Sequence, residues 1–182
     1  MDVVFLLGQH VVLRALDPDC DLDAYVSWLN DSDTTRYMGS GNTTTTADDL
    51  RRYIRSFENA EDGMLLGIFD RETEAHVGNV TLQTIDWHNR RGELGILLGE
   101  SSARCKGFAT EAVGLVVEDA FTRLDLHRLT AGYVLGNEGS RRLFEKLGFK
   151  VEGTLREHFL LGDTYLDCDR VGLLRSEWLE VR

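Results

Sequence analysis

The sequence predicts an α/β or α+β domain, in which a mixed sheet carries helices on its faces. Strand and helix patterns alternate along all 182 residues, and there is only one proline. No repeat or low-complexity linker marks a domain boundary. We therefore expect residues 1–182 to form one domain with about seven strands and about four helices, in the order β-α-α-β-β-β-α-β-α-β-β.

The first part of the chain shows one strand pattern and then two helical patterns. Residues 10–15 alternate loosely and predict the first strand. Within residues 21–30, apolar side chains recur at helical spacing at Leu22, Tyr25, Val26 and Leu29. Thr46 to Asp49 has the residue order of a capping box and predicts the start of the second helix. The side chains of that helix expected to face inward are Leu50, Tyr53, Ile54 and Phe57.

The rest of the chain predicts an antiparallel run followed by two β-α-β crossings. Three strand patterns, over 64–69, 76–85 and 92–98, are joined by connections short enough for hairpins. Gly148 is expected to end the last helix. The remaining predicted elements are a long helix over 110–124, a strand over 128–135, a short helix over 140–147 and a closing hairpin over 149–161 and 164–174. The sheet should therefore be mixed but mostly antiparallel.

Composition and charge exclude several classes of function. The formal net charge of −11 disfavours a nucleic-acid partner, because such proteins present a basic face. An acidic surface attracts cationic substrates such as protonated amines, although the same charge also serves solubility alone. No apolar run reaches the roughly 18 residues of a membrane helix, and the N-terminus does not resemble a signal peptide. With three scattered cysteines, these features predict a cytoplasmic protein with no membrane partner.

The sequence also argues against a metal site. It contains no CxxC pair and no HExxH motif, and its five histidines are dispersed along the chain. Protein ligands for zinc and similar ions normally occur in such closely spaced sets.

The segment from Arg104 to Glu111 is the strongest indication of function. It reads Arg-Cys-Lys-Gly-Phe-Ala-Thr-Glu and joins a strand pattern to the long helix. The first turn of a helix leaves N–H groups unpaired, and these groups bind anions. Gly107 lets a ligand approach the backbone, Thr110 is a plausible cap, and Arg104 and Lys106 add positive charge. A tight strand-to-helix connection without any ligand would produce the same local pattern.

A second segment makes the pattern specific. Arg104-x-x-Gly107-x-Ala109 is followed by Asn137-Glu-Gly-Ser140 and then by Glu145-Lys-Leu-Gly-Phe149. This combination resembles the GNAT superfamily of acyl-CoA-dependent N-acyltransferases, over about residues 10–175. The amino-acid sequences of residues 107–112 and 150–156 are most similar to the branch that contains ribosomal-protein N-terminal acetyltransferases.

The resemblance implies a GNAT-like sheet with a splayed parallel strand pair, and acetyl-CoA as co-substrate without a metal. The pyrophosphate is expected at the turn, and the pantetheine arm along a bulged, splayed strand that leaves backbone groups free. For the adenosine 3′-phosphate, Arg141, Arg142 and Lys146 are alternatives, each also explained as a solvated helix face. The implied cofactor residues are Ile96, Leu97, Leu98, Arg104, Cys105, Lys106, Gly107, Phe108, Ala109, Thr110, Asn137, Ser140 and Arg142.

Acyl transfer to an amine requires a route for the amine proton and an acid for the departing thiolate. Many family members carry a tyrosine where this chain has Phe144, which has no proton to give. Ser140 is the nearest alternative donor, and it would serve equally as a helix cap. Glu93 and His158 are the candidate bases, although both are also explained as surface strand residues. We expect direct transfer in a ternary complex and not an acyl-cysteine on Cys105 or Cys20.

The sequence leaves the acceptor open. A peptide N-terminus or a small-molecule amine is expected, with a nucleotide-linked aminosugar or a non-catalytic acyl-CoA-binding module as alternatives. A third hypothesis is a purely structural or interaction domain without any ligand. The closing hairpin has a solvent-facing edge that is compatible with a homodimer. The residues expected around the acceptor are Tyr25, Trp28, Asn30, Arg36, Tyr37, Trp87, His88 and Asn89.

Overall fold

The computed structural model describes residues 5–39 and 43–180, and these residues form one eight-stranded sheet. The strands are β1 (Phe5–Leu7), β2 (Val11–Ala15), β3 (Met64–Asp70), β4 (His76–Asp86), β5 (Arg91–Leu98), β6 (Arg128–Val134), β7 (Lys150–Leu161) and β8 (Thr164–Leu174). Their spatial order is β1-β2-β3-β4-β5-β6-β8-β7. Among these neighbours, β5 and β6 form the one parallel pair, and the others are antiparallel.

The same described residues contain six α-helices. They are α1 (Asp23–Asn30), α2 (Ser32–Thr35), α3 (Ala47–Glu58), α4 (Phe108–Thr122), α5 (Glu138–Lys146) and α6 (Arg175–Glu180). The predicted capping box is present at the start of α3, where Thr46 N donates to Asp49 Oδ2 at 3.0 Å and Asp49 N donates to Thr46 Oγ1 at 3.2 Å. Gly148 follows α5 with φ +84°, which suits its predicted role in ending that helix.

The predicted fold class is confirmed, with differences in detail. The elements that the sequence pattern missed are β1, α2 and α6, which have three, four and six residues. Elements this short hold too few residues to show a period. The inward orientation predicted for Tyr53 is wrong, since this residue is 41 % exposed whereas Leu50 and Ile54 are buried. Tyr53 lies at the flank of the apolar stripe and packs edge-on against Phe57 at 5.2 Å between ring centroids.

The two faces of the sheet carry separate hydrophobic clusters. On one face, α4 packs Val113, Val116 and Ala120 against the strands. On the other, α1 and α3 cover a second cluster that includes Leu65 and Leu97. Because the side chains of successive strand residues point to opposite faces, the two clusters also determine on which face of the sheet each neighbouring strand residue lies.

The sheet divides where β5 meets β6. Only Arg91 with Arg128, Gly92 with Leu129 and Glu93 with Thr130 are paired between these two strands. Beyond these pairs, β5 continues along β4 and β6 continues along β8. The strands therefore separate into a V whose inner edges are residues 94–98 and 131–134, which confirms the expected splay.

The bulge expected in the splayed strand is not where the resemblance implied. The register between β4 and β5 runs without a shift from the Gln83–Glu93 pair to the Gly78–Leu98 pair. Its irregularity lies between Gln83 and Asp86, at the opposite end of the strand. The strands separate without a bulge near Ile96, because β5 stays paired with β4 and β6 stays paired with β8.

No helix in the part of the chain that the structure describes is long and apolar enough to cross a membrane.

Candidate active site

The V between β5 and β6 opens into a cleft of about 790 Å³. One wall is formed by residues 94–98 of β5, and the other by residues 132–134 of β6. The N-termini of α4 and α5 close one side, and Tyr37 and Met38 reach it from the α2 segment. All of the predicted cofactor residues except Lys106 line this cleft. Segments distant in the sequence thus converge on one site.

The turn before α4 leaves its backbone donors free. Gly107 is the N-cap with φ +85°, and it supplies no side-chain hydrogen bond to the helix. The first backbone bond of α4 runs from Glu111 N to Gly107 O at 3.0 Å. Among the described residues, no protein acceptor faces the N–H groups of residues 108–110. Unpaired donors at a helix start, beside a cleft, form an anion-binding arrangement.

The structure corrects the expected role of Thr110. Because α4 begins at Phe108, Thr110 lies inside the first helical turn and does not cap it. The sequence pattern placed the helix start too late because Phe108 and Ala109 follow a turn in which Cys105 and Gly107 both have positive φ. A Cβ at Gly107 would have no atom within 4 Å, so the space above the turn is open.

Arg104 and Lys106 point in different directions. Arg104 lines the cleft, and its Nη2 donates to Thr34 Oγ1 at 3.0 Å, which ties the turn to α2. Lys106 instead lies in a separate groove of about 640 Å³ beside Asp70 and Arg71. The left-handed backbone at Cys105 and Gly107 turns the intervening side chain away. Lys106 was expected to bind the cofactor, but the structure does not place it in the cleft.

The N-terminus of α5 is capped, in contrast to that of α4. Asn137 is the N-cap, and its Oδ1 accepts a hydrogen bond from Ser140 N at 3.2 Å. The alternative role of Ser140 as the helix cap is therefore wrong, since Asn137 holds that position. The Ser140 side chain lines the cleft, and its hydroxyl has no protein partner among the described residues. Tyr37 Oη donates to Gly136 O at 3.3 Å and closes the turn before α5.

Two aromatic residues shape the inner part of the cleft. Phe144 is only 2 % exposed and packs edge-on against Phe149 at 5.2 Å between ring centroids, so it supplies an apolar wall. Tyr133 also lines the cleft, and its hydroxyl donates to Asp169 Oδ2 at 3.2 Å. Burial and the neighbouring Asp169 carboxylate raise the pKa of Tyr133. Its hydroxyl therefore stays protonated and bonded to Asp169.

The two candidate bases lie in different surroundings. Glu93 Oε1 accepts a hydrogen bond from Arg170 Nη1 at 2.8 Å, and this bond raises the pKa of the guanidinium. Glu93 itself does not line the cleft, although Leu94 beside it does. His158 is exposed on β7, within a register irregularity between Leu155 and Phe159. The structure thus places Glu93 at the apex of the V, and it does not bring His158 to the cleft.

The three cations proposed for the 3′-phosphate have different surroundings in the structure. Arg141 is held by Glu138 at 2.7 Å and by Glu145 at 2.6 Å. Arg142 lies 3.9 Å from Glu138 and lines the cleft together with Lys146. Of these three cations, Arg142 and Lys146 are therefore the ones placed to meet a phosphate group.

Most residues expected around the acceptor make contacts elsewhere in the structure and do not line the cleft. Tyr25 and Trp28 are buried and pack against His76 at 5.8 and 5.0 Å between ring centroids. Asn30 Nδ2 donates to Val26 O and Thr45 O, and Trp87 Nε1 donates to Glu61 O. Arg36, His88 and Asn89 also lie outside the cleft lining. From this group, only Tyr37 reaches the cleft.

The described residues contain no group of three or more His, Cys, Asp or Glu side chains that would hold a metal ion. Cys105 is an exposed free thiol within the turn, and no histidine lines the cleft beside it. Thiolate nucleophiles normally require such a neighbouring base or cation.

Comparison with known proteins agrees with this geometry. The family model described as acetyltransferase (GNAT) domain matches residues 10–150. The chain belongs to this family. It is a GNAT-type N-acetyltransferase, and the resemblance read from the two motifs is confirmed.

Individual relatives cover almost the whole chain. The N-acetyltransferase p20 of Bacillus licheniformis is 29 % identical, over 95 % of this chain and 97 % of its own length. YdaF of Bacillus subtilis, which is named as a candidate ribosomal N-acetyltransferase, is 26 % identical over 94 % of this chain and 95 % of its own. Among solved structures, spermidine N-acetyltransferase from Vibrio cholerae, in complex with CoA and spermine, superposes with a TM-score of 0.85. It is 25 % identical, with 94 % of this chain and 99 % of that chain covered.

Proposed function

We propose that this N-acetyltransferase moves the acetyl group of acetyl-CoA directly to a primary amine within a ternary complex. The observation that carries the proposal is the uncapped start of α4, where three free N–H groups face a cleft between two separated strand edges. A pyrophosphate with an amide-rich arm is complementary to these two features. The Vibrio cholerae spermidine N-acetyltransferase, which has the same fold, was solved with CoA.

Each part of the cofactor has a matching group in the cleft. The N–H groups of residues 108–110 suit the pyrophosphate, because a helix start attracts negative charge. The inner edge of β5 over residues 94–98 has backbone groups that β6 does not satisfy, and pantetheine amides would pair with them. Arg142 and Lys146 supply positive charge for the 3′-phosphate.

The transfer requires the amine in its free-base form. Since an aliphatic amine has a pKa near roughly 10, a proton must leave before or during attack. The amine nitrogen then bonds to the thioester carbon, the carbon–sulfur bond breaks, and the amine proton passes to a base or to water. Ser140, whose hydroxyl has no protein partner among the described residues, is the proposed proton donor to the departing thiolate, directly or through water, and its oxygen regains a proton from water.

The acceptor proposed at this level is a peptide or small-molecule amine. A relative named spermidine N(1)-acetyltransferase supports a small-molecule amine as the acceptor; this Vibrio cholerae protein is 31 % identical over 57 % of this chain. The net charge of −11 favours cationic amines at long range. A second candidate, a non-catalytic acyl-CoA-binding module, is favoured by Phe144 alone.

Titration calorimetry with acetyl-CoA, followed by thiol release with a panel of amines, tests the proposal. We expect saturable binding and release of CoA with at least one amine. Absence of binding at tens of micromolar contradicts the proposed donor. Tight binding without turnover of any amine contradicts the catalytic proposal and supports the binding module.

A further inference from the structure

A short segment of the chain contacts both turns that lead into the cleft. It comprises α2 and the residues up to Met38, and Thr34 and Tyr37 within it line the cleft. Thr34 is bonded to Arg104 in the turn before α4, and Tyr37 is bonded to Gly136 in the turn before α5. The segment is therefore fixed at the two places where α4 and α5 begin.

The contact at the turn before α4 belongs to a short chain of hydrogen bonds. Thr34 Oγ1 donates to Asp31 Oδ2 at 2.6 Å and accepts from Arg104 Nη2 at 3.0 Å. Asp31 is the N-cap of α2, and its Oδ2 also accepts from Thr34 N at 2.8 Å. The bonds from Thr34 hold the pKa of the Asp31 carboxyl below its usual range, and the Arg104 charge lowers it further. The charged carboxylate fixes the hydroxyl proton on its own side, so that the oxygen lone pairs of Thr34 face Arg104.

The helix that carries Thr34 is itself held in place. The next residue, Thr35, is only 4 % exposed, and its hydroxyl donates to Asp31 O at 2.8 Å. The bond from Tyr37 Oη to the turn before α5 holds the residues that follow α2. A residue that positions another group must be fixed by contacts of its own. Thr34 meets this condition, because its helix is anchored on both sides of it.

The hydroxyl contact orients Arg104 without neutralising its charge. Among the described residues, Arg104 forms no ion pair, and Nη2 is the one nitrogen of its guanidinium that is bonded to a protein acceptor. A guanidinium has five N–H donors, so four remain for a ligand. Arg141 differs, because Glu138 and Glu145 take its donors directly and it does not line the cleft. Arg104 and Thr34 both line the cleft, so the hydrogen bond between them lies at the proposed cofactor site.

We propose that Thr34 is a positioning residue, which directs the remaining donors of Arg104 towards the cofactor pyrophosphate at the start of α4. This inference rests on the proposed function and deepens its cofactor site. A guanidinium fixed by one hydrogen bond presents its other donors in a fixed plane, which matches the oxygens of a phosphate group. Without the Thr34 hydroxyl, the ligand itself must order the long arginine side chain, and this ordering lowers its affinity. The N-terminal helices thereby contribute to cofactor binding.

The test measures the affinities of CoA, dephospho-CoA and pantetheine by calorimetry, since only the first two carry the pyrophosphate. Thr34→Val should lower the affinity for both nucleotides by about threefold to tenfold, as expected for one hydrogen bond, and leave pantetheine unchanged. Thr34→Ser keeps the hydroxyl and should keep the wild-type affinity. Arg104→Gln should itself lose about tenfold or more, and Thr34→Val should cost nothing further in that background. Thr35→Val is the matched control, because Thr35 also lies in α2 but does not line the cleft.

The outcomes separate this inference from the proposed function. Equal CoA affinities of the wild type and Thr34→Val overturn the role of Thr34 and leave the cofactor site intact. A loss that also affects pantetheine, or that is equally large in the Arg104→Gln background, means that the contact is purely structural and overturns the inference too. Because Thr34→Ser retains the hydroxyl, a loss as large as that of Thr34→Val has the same meaning. Absence of CoA binding to the wild-type protein overturns both proposals.

Discussion

The helices α4 and α5 both begin at the cleft, yet their first turns differ. The α4 start has Gly107 as its N-cap and no side-chain cap, whereas Asn137 caps α5 by accepting from Ser140 N. A capped start has one of its donors satisfied and holds its side chains in place. An uncapped start keeps its donors for a ligand. We therefore propose that the start of α4 binds the anion and that α5 positions Ser140.

The acidic residues of the two first turns support this division. The side chain of Glu111 of α4 points away from the cleft. Its carboxylate accepts hydrogen bonds from the backbone N–H groups of Gln9 and His10. Glu138 of α5 lines the cleft and pairs with Arg141. Negative charge is thus directed away from the start that we propose for the pyrophosphate.

The largest effect should come from a charge placed at the uncapped start. Thr110→Glu puts a carboxylate in the first turn of α4, where it suits the helix but repels the pyrophosphate. We expect acetyl-CoA affinity to fall by about 100-fold or more in calorimetry. Lys106→Glu is the control, because Lys106 belongs to the same turn and points into another groove. Equal losses in both variants would mean that general charge, and not the α4 start, governs binding.

A smaller effect should separate two neighbouring arginines of α5. Arg142→Ala should weaken CoA by about tenfold and leave dephospho-CoA nearly unchanged, because only CoA carries the 3′-phosphate. Arg141→Ala should have little effect on either ligand, since its exposed pairs with Glu138 and Glu145 contribute little. The same loss for dephospho-CoA would remove Arg142 from the phosphate site.

The backbone of the α4 turn can be tested through stability. Gly107→Ala introduces a side chain at φ +85° with no atom nearby, so its cost is conformational. We expect the free energy of unfolding to fall by about 1 to 2 kcal/mol in urea denaturation. Gly153→Ala is the control, because a Cβ there also has open space but φ is not positive. A neutral Gly107→Ala would show that the turn adopts another conformation.

The smallest effect should come from the capped start. Asn137→Ala removes the acceptor for Ser140 N and should lower the free energy of unfolding by about 1 kcal/mol. Asn137→Ser keeps a capping oxygen and should lose much less. If both variants are equally stable, the Asn137 side chain is not the cap that distinguishes α5 from α4.

The sequence predicted the long elements of this fold and most of the cleft. Periodicity suffices for α3 and α4, whereas β1, α2 and α6 are too short to show it. The turn motif identified the segment before α4, although the helix begins at Phe108 and not at the predicted residue 110. The direction of Lys106 depends on the positive φ of Cys105 and Gly107, which residue types do not reveal. The Arg170–Glu93 pair was missed because it depends on the register of three strands, although Glu93 alone was a candidate.

The most direct test of the division between the two helix starts is a backbone amide NMR titration with CoA and with pantetheine. Both ligands should perturb residues 94–98, and CoA alone should strongly perturb residues 108–110. The amide of Ser140 should respond alike to the two ligands, because it is bonded to Asn137. Perturbations specific to CoA that fall on the start of α5 and leave residues 108–110 unchanged would contradict an anion site at the start of α4.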